Sequence, residues 1–383
     1  MSEMGLALAR GGPATRRRSP APPGRQDRPA PRRAPASSDA TDRFYTAVRL
    51  VVRFWLWFCF KPVDVRHPER VPTDGPVLLC INHPNNLIDS LVVAAALRRK
   101  VHFLAAAAMF RNPLVARFLR ACGAIPVYRK ADDPDKMDPN AKAFAACFQA
   151  LEGGRLIAMY PEGTTHAEAH VQRIKSGAAR IALGHEAARP GELSLIPVGL
   201  TFEARKSFLG RVLVSFGEPI SVAPYLEADR QDPCKAVDAL TRAIQRAMEA
   251  ELIGEVYSFK ARDPERVERL WQRIQVLHSW VAIVGFPFFV YGAVVNGLPY
   301  LIPCWLARRL AKKETDYATV RFLASVVAFP LCWTLETWVV GWQTGAAGAA
   351  VFALSLPLTG LVAYRYLVGA GRLRSRLRFG VLR

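Results

Sequence analysis

From residue 76 to about 220 the chain alternates short apolar runs with amphipathic ones. The runs PVLLCIN (76–82), VHFLAA (101–106), AIPVY (124–128), RLIAMYPE (155–162), LSLIPVGLTF (193–202) and RVLVSFGEPI (211–220) are β-rich and bounded by Pro or Gly, which predicts strands. Between them, 140–152 and 175–188 read as helices, the first ended by Gly153 and Gly154. This alternation predicts an α/β domain with a central, largely buried, mixed or parallel sheet, within 63–228. Pro197 stands inside one of these strands and cannot donate to a ladder, so an edge or a break is expected there.

On either side of this stretch the pattern changes. FYTAVRLVVRFWLWFCF (44–60) puts Arg49 and Arg53 four apart on one helical face, with aromatics elsewhere. It is short for a crossing and charged, so an in-plane interfacial helix is expected within 42–62. A charged helical segment, 229–278, follows the α/β domain. The runs 322–340 and 342–364 are each long and apolar enough to cross a bilayer. Residues 279–303 are also apolar, but Pro287, the Asn296-Gly297 pair, Pro299 and Pro303 interrupt them. Arg308, Arg309, Lys312, Lys313 and Arg321 follow that stretch, and Arg365, Arg372, Arg374, Arg376 and Arg378 lie near the end of the chain. The positive-inside rule puts both basic segments, and the α/β domain, on the cytoplasmic face of a multi-pass protein. A re-entrant 279–303 satisfies that arrangement, and a third full crossing is the alternative. Glu336, inside a crossing, is expected to hydrogen-bond a neighbouring helix.

Composition narrows the partners. Residues 1–41 hold seven prolines and eight arginines against three acids, which predicts a disordered basic tail, and 369–383 form a basic tail. The net charge of +20 suits nucleic acid, anionic lipid or phosphorylated substrates alike. Its placement beside apolar runs favours anionic membrane lipids over nucleic acid. The seven cysteines lie singly with no CxxC, so neither a zinc ribbon nor a disulfide framework is indicated. GxSxG, GxGxxG and GxxxxGK do not occur, which removes the best markers of serine hydrolases and nucleotide folds. A transporter would need more crossings.

The candidate chemistry sits where strands end. In NHPNNLIDS (82–90), a strand delivers His83 at its carboxyl end, the place where open α/β sheets carry their sites. Pro84, Asn85 and Asn86 favour a turn, and a turn running into a helix can fold Asp89 back against the imidazole. Such a carboxylate fixes the tautomer and leaves the other ring nitrogen free to take a hydroxyl proton. GAIPVYRK (123–130) ends a strand with Arg129 and Lys130, a grip suited to phosphate. MYPEGTTH (159–166) places Glu162, Gly163 and Thr164 at another sharp turn. His166 and His170 are four apart, but no third ligand accompanies them, and a solvated turn is expected. Tyr128 reads as packing.

Taken in order, these stretches resemble the four sequence blocks of the glycerolipid acyltransferase family, which acylates glycerol 3-phosphate and lysophospholipids. The resemblance covers 70–225, with blocks at His83 to Asp89, Gly123 to Arg129, Tyr160 to Thr164 and Leu195 to Val198, and FGEPI (216–220) near the end of the domain. It implies His83 as general base, Asp89 as its orienter, Arg129 as a phosphate contact, and Glu162 with Gly163 shaping a polyol phosphate site. Five residues separate His83 from Asp89 where the common family form has four. His83, Asn85 and Asp89 match the longer His-x-Asn-x-x-x-Asp form of the eukaryotic-type glycerol-3-phosphate acyltransferase branch, which NGLPYLIP (297–303 with its preceding Asn296) and TVRFLAS (319–325) also resemble. Thr165 and His166 stand where the family carries an arginine, leaving Arg173 and Lys175 as substitute phosphate contacts. The resemblance thus implies a membrane-bound acyltransferase of phospholipid synthesis that takes acyl-CoA or acyl carrier protein as donor, glycerol 3-phosphate or lysophosphatidate as acceptor, and no cofactor.

Overall fold

The computed structural model describes residues 39–59, 63–127, 138–166, 168, 170–202, 212–260 and 285–380. Seven strands form one sheet: β1 (Val63–Arg66), β2 (Val77–Ile81), β3 (Val101–Ala106), β4 (Ile125–Val127), β5 (Leu156–Met159), β6 (Ser194–Phe202) and β7 (Val212–Phe216). Their spatial order is β1-β7-β6-β2-β5-β3-β4, and every neighbouring pair is parallel except β6 with β7. The sheet is therefore mixed, as its sequence pattern predicts.

Strand β2 at the centre shows why its run is apolar throughout. Val77, Leu79 and Ile81 enter one core, while Leu78 and Cys80 enter the other. Successive strand side chains point to opposite faces, so a strand covered on both faces must be apolar at every position. The first core is closed by α1 (Asp39–Cys59), α2 (Leu87–Ala96) and the start of α10 (Asp316–Gly380). The second is closed by α4 (Asp138–Glu152), α5 (Gly177–Ala188) and α7 (Pro233–Lys260). Helices α3 (Pro113–Ala121) and α6 (Ala223–Gln231) lie outside the sheet proper. Asn112 caps α3, its side-chain oxygen accepting from the N–H groups of Leu114 and Val115, with Pro113 in the first turn.

Pro197 is not on an edge strand, because β6 lies between β2 and β7. It is at a break. The β6–β7 ladder ends at the Val198–Phe216 pair, and the next rung has only one bond, from Gly217 N–H to the Pro197 carbonyl. The missing donor falls where the ladder stops.

Helix α1 is docked on the domain. Tyr45, Trp55 and Leu56 are buried, the Arg49 guanidinium donates to the carbonyls of Leu97 and Arg98, and Phe44, Leu50, Val51, Phe54 and Trp57 are left exposed. Arg49 is therefore committed to the domain rather than to the solvated face shared with Arg53.

Helix α10 reverses at Gly345, whose φ of 78° leaves the helical region. Gly341 and Ala349 face each other across that turn, so the stretch is a hairpin of two apolar arms. The turn falls at 345, and the stretch from Asp316 to Ala363 that holds both arms has the length and hydropathy to cross a membrane. Helices α8 (Gly285–Val295) and α9 (Gly297–Leu310) pass the same test as a pair and meet at a bend of 55°. Pro287 and Phe288 lie beside Ala347 and Gly348 near the hairpin turn, and Asn296 reaches Trp333. A pair bent in this way is a broken span or a re-entrant loop. Asn296 breaks it: its amide donates to the carbonyls of Gly292 and Leu356 and accepts from the Trp333 indole, so one buried side chain ties three helical segments. Glu336 Oε2 makes no such tie. The tails 1–38 and 381–383, and 261–284, lie outside the described residues.

Candidate active site

Parallel register brings two sequence blocks together. β2 and β5 are neighbours with Cys80 opposite Met159, so residues three further on, His83 and Glu162, emerge side by side. Glu162 Oε1 accepts the backbone N–H of His83 at 3.0 Å. On the other side of β2, the Asn82 side chain continues the ladder: its amide donates to the Leu200 carbonyl and accepts the Leu200 N–H. β2 can then turn away to deliver His83 without orphaning the strand beside it.

Within the turn, His83 Nδ1 lies 2.8 Å from Asp89 Oδ2, and both residues are buried. A carboxylate only accepts, so Nδ1 carries the proton and Nε2 holds the free lone pair. The same Oδ2 accepts the Asn85 N–H at 2.8 Å, which fixes the carboxylate from a second direction. Tyr160 stacks on the imidazole, with centroids 3.8 Å apart and planes at 11°, and its hydroxyl hydrogen-bonds Ser90. Burial, with the Asp89 charge adding to it, holds the Tyr160 phenol well above its ordinary value, so the wall behind His83 stays neutral.

The turn itself is strained. Asn86 has φ 57° and ψ −129°, a region open mainly to glycine, at a cost of roughly 1–3 kcal/mol. The first turn of α10 holds it there. Asn86 Nδ2 donates to Asp316 Oδ1 at 3.0 Å, and Thr319 Oγ1 donates to the buried Asn85 carbonyl at 3.1 Å. Nothing in the local pattern of 82–90 signals these partners, which lie 230 and 234 residues away.

Glu162 is fully committed to the protein. Besides His83 N–H, its second oxygen accepts the Gln172 N–H and pairs with His166 Nε2. It is buried, and its contacts join His83 to Gln172 and His166. His166 is likewise buried rather than solvated, and its N–H donates to the His83 carbonyl, whereas His170 is exposed. The pairing with Glu162 at i+4 is what draws it in. Among the described residues no three His, Cys, Asp or Glu side chains could hold a metal ion together.

The polar rim is assembled from the same loop. Gly163 has φ +70°, and the Lys175 side chain fills the space beside it: a Cβ at 163 would stand 2.6 Å from Nζ. The Lys175 N–H donates to the Pro161 carbonyl, closing the loop over the turn. Thr164, Arg173 and Lys175 are exposed, so two cations and a hydroxyl border the site on the Glu162 side. Asn85 is fully buried, with its backbone in use and both side-chain polar atoms lacking partners. Arg129, Lys130 and Tyr128 lie outside the described residues.

Chemically, this is a base with one open nitrogen, a locked tautomer and a cationic rim. The acyltransferase family model matches residues 62–201, which include all of these turns. A glycerol-3-phosphate O-acyltransferase 2 of Saccharomyces cerevisiae is 32% identical over 116 residues, 30% of this chain and 16% of that protein. A 1-acyl-sn-glycerol-3-phosphate acyltransferase of Streptococcus pneumoniae is 25% identical over 187 residues, 47% of this chain and 64% of that one. The chain thus spans less than two thirds of the length of either relative. The solved 1-acyl-sn-glycerophosphate acyltransferase PlsC of Thermotoga maritima aligns over 59% of this chain and 85% of its own, with a TM-score of 0.43 and 16% identity. The likeness is therefore to an acyltransferase-family domain over residues 62–201.

Proposed function

We propose that the protein is a membrane-bound O-acyltransferase that moves a fatty acyl group from a thioester, acyl-CoA or acyl carrier protein, to a hydroxyl of glycerol 3-phosphate or 1-acylglycerol 3-phosphate in phospholipid synthesis. The observation that carries this reading is the His83–Asp89–Asn85 arrangement, with Nδ1 occupied and Nε2 open, inside the family domain. His83 Nε2 takes the proton of the acceptor hydroxyl as its oxygen attacks the thioester carbonyl. The resulting tetrahedral centre expels the thiolate, which takes that proton back from the imidazolium. Asp89 keeps the ring oriented and steadies its positive form. Lys175 and Arg173, with Arg129 on the sequence reading, hold the acceptor phosphate. No metal or redox group enters these steps.

The proposed setting is a membrane crossed by both arms of α10 and entered by α8–α9 as a re-entrant pair, so that the α/β domain and the basic segment 305–321 share the cytoplasmic face. The exposed aromatics of α1 lie at headgroup depth, and anionic lipids are the electrostatic partner. Purified full-length protein, supplied with each acceptor and each donor type, tests the reading by product analysis. An acylated acceptor carrying one new ester is expected; no acyl transfer to either acceptor from either donor would refute it.

A further inference from the structure

We infer that the first turn of α10 is a clamp on the catalytic turn, with Asp316 and Thr319 as positioning residues for His83. This rests on the acyl-transfer reading for its kinetic consequence, but the clamp itself is a matter of geometry.

The observations are independent of each other. Asn86 holds a backbone conformation that a non-glycine residue leaves unless something opposes it. Asp316 opposes it directly: Oδ1 accepts from Asn86 Nδ2, while Oδ2 accepts the Lys313 N–H, so the carboxylate is itself anchored at the helix start. One residue earlier in the turn, the Asn85 peptide is gripped from both ends. Its N–H donates to Asp89 Oδ2, and its carbonyl accepts from Thr319 Oγ1. Asp89 Oδ2 is the atom that orients the imidazole. Helix packing backs the contact, since Ala318 and Phe322 belong to the same core as Ile81 and Ile88 on either side of the turn. A helix that runs on into the apolar hairpin thereby fixes the base, and the clamp acts through Asn85 and Asn86, without touching substrate.

Relaxing Asn86 swings the Asn85 N–H off Asp89 and frees the imidazole to turn. Asp316→Ala in the full chain should therefore lower kcat about tenfold with the KM of donor and acceptor unchanged, and Thr319→Val should do the same more weakly. Glycine adopts a positive φ without strain, so in an Asn86→Gly background the further loss from Asp316→Ala should shrink to about twofold. An equal loss in both backgrounds would show that Asp316 serves only the stability of α10. An unchanged kcat in Asp316→Ala would overturn the clamp. Hydrogen–deuterium exchange of the 82–89 segment gives a readout that needs no turnover. Asp316→Ala should speed exchange of the Asn85 and Asp89 amides, and unchanged exchange would sink the proposal. If exchange responds while the wild type transfers no acyl group, the functional reading fails and the clamp stands.

Discussion

His83 is held by its neighbours on four sides that leave Nε2 open: Nδ1 by Asp89, its N–H by Glu162, its carbonyl by the His166 N–H, and its ring face by Tyr160. Catalytic groups held this way lose little freedom on reaching the reactive geometry. A second histidine shows what burial does without a carboxylate partner. His102 on β3 is pushed down to about 4, chiefly by burial, with Arg155, Lys100 and Arg99 adding to it. It stays neutral in the folded protein, whereas in the unfolded chain it takes up a proton below its ordinary value of 6.5. Stability from this group is thus full above that value and is lost as pH falls from 6.5 toward 4. The loss is about 3 kcal/mol at the lower end of the window. Denaturant titrations at several pH values check this: His102→Gln should flatten the acid side of the curve, and an unchanged slope would put the loss elsewhere.

At the scale of elements, the long apolar runs were legible because a strand buried on both faces leaves an unbroken signal. β1 was not: VDVR is short, alternates with charge and lies half-buried at the sheet edge. α3 was missed although its Asn-Pro start is a helix signal, because Leu114, Val115 and Phe118 point outward and leave no inward stripe to read. The Asn296-Gly297 interruption coincides with a bend of 55°, and the contacts of Asn296 with Trp333 and Leu356 there are ones that local sequence does not carry. The same limit hid the α10 partners of Asn85 and Asn86, and it hid the burial of His166 against Glu162. Asn296 supplies a test at this scale. Asn296→Ala strips a donor or acceptor partner from Trp333 and Leu356. Interhelical bonds in membranes are worth roughly 0.5–2 kcal/mol each. The variant should lose about 1–3 kcal/mol of thermal or denaturant stability in detergent, with turnover at low temperature close to wild type. No loss of stability would mean that packing alone holds the bent pair.

For the whole molecule, the sheet presents His83 at the end of α10 that touches the domain, where the proposed acceptor and lipid product would both reach it. The proposed sidedness has its own test. Lys312 stands four residues before Asp316 and therefore beside the catalytic turn, while Thr344 adjoins the hairpin turn and Gly285 lies near it. Single cysteines at these positions, in a chain with its native cysteines replaced, can be probed in intact cells with a membrane-impermeant thiol reagent. Position 344 should react from outside and 312 only after permeabilisation. Labelling at 285 from outside would make the α8–α9 pair a crossing rather than a re-entrant loop. The central claim, acyl transfer by a histidine base, is tested most directly by His83→Ala in the purified full-length protein. The account predicts that kcat for acyl transfer falls by about 10²- to 10⁴-fold, with the thermal unfolding midpoint and donor binding preserved; turnover near that of the wild type would contradict it.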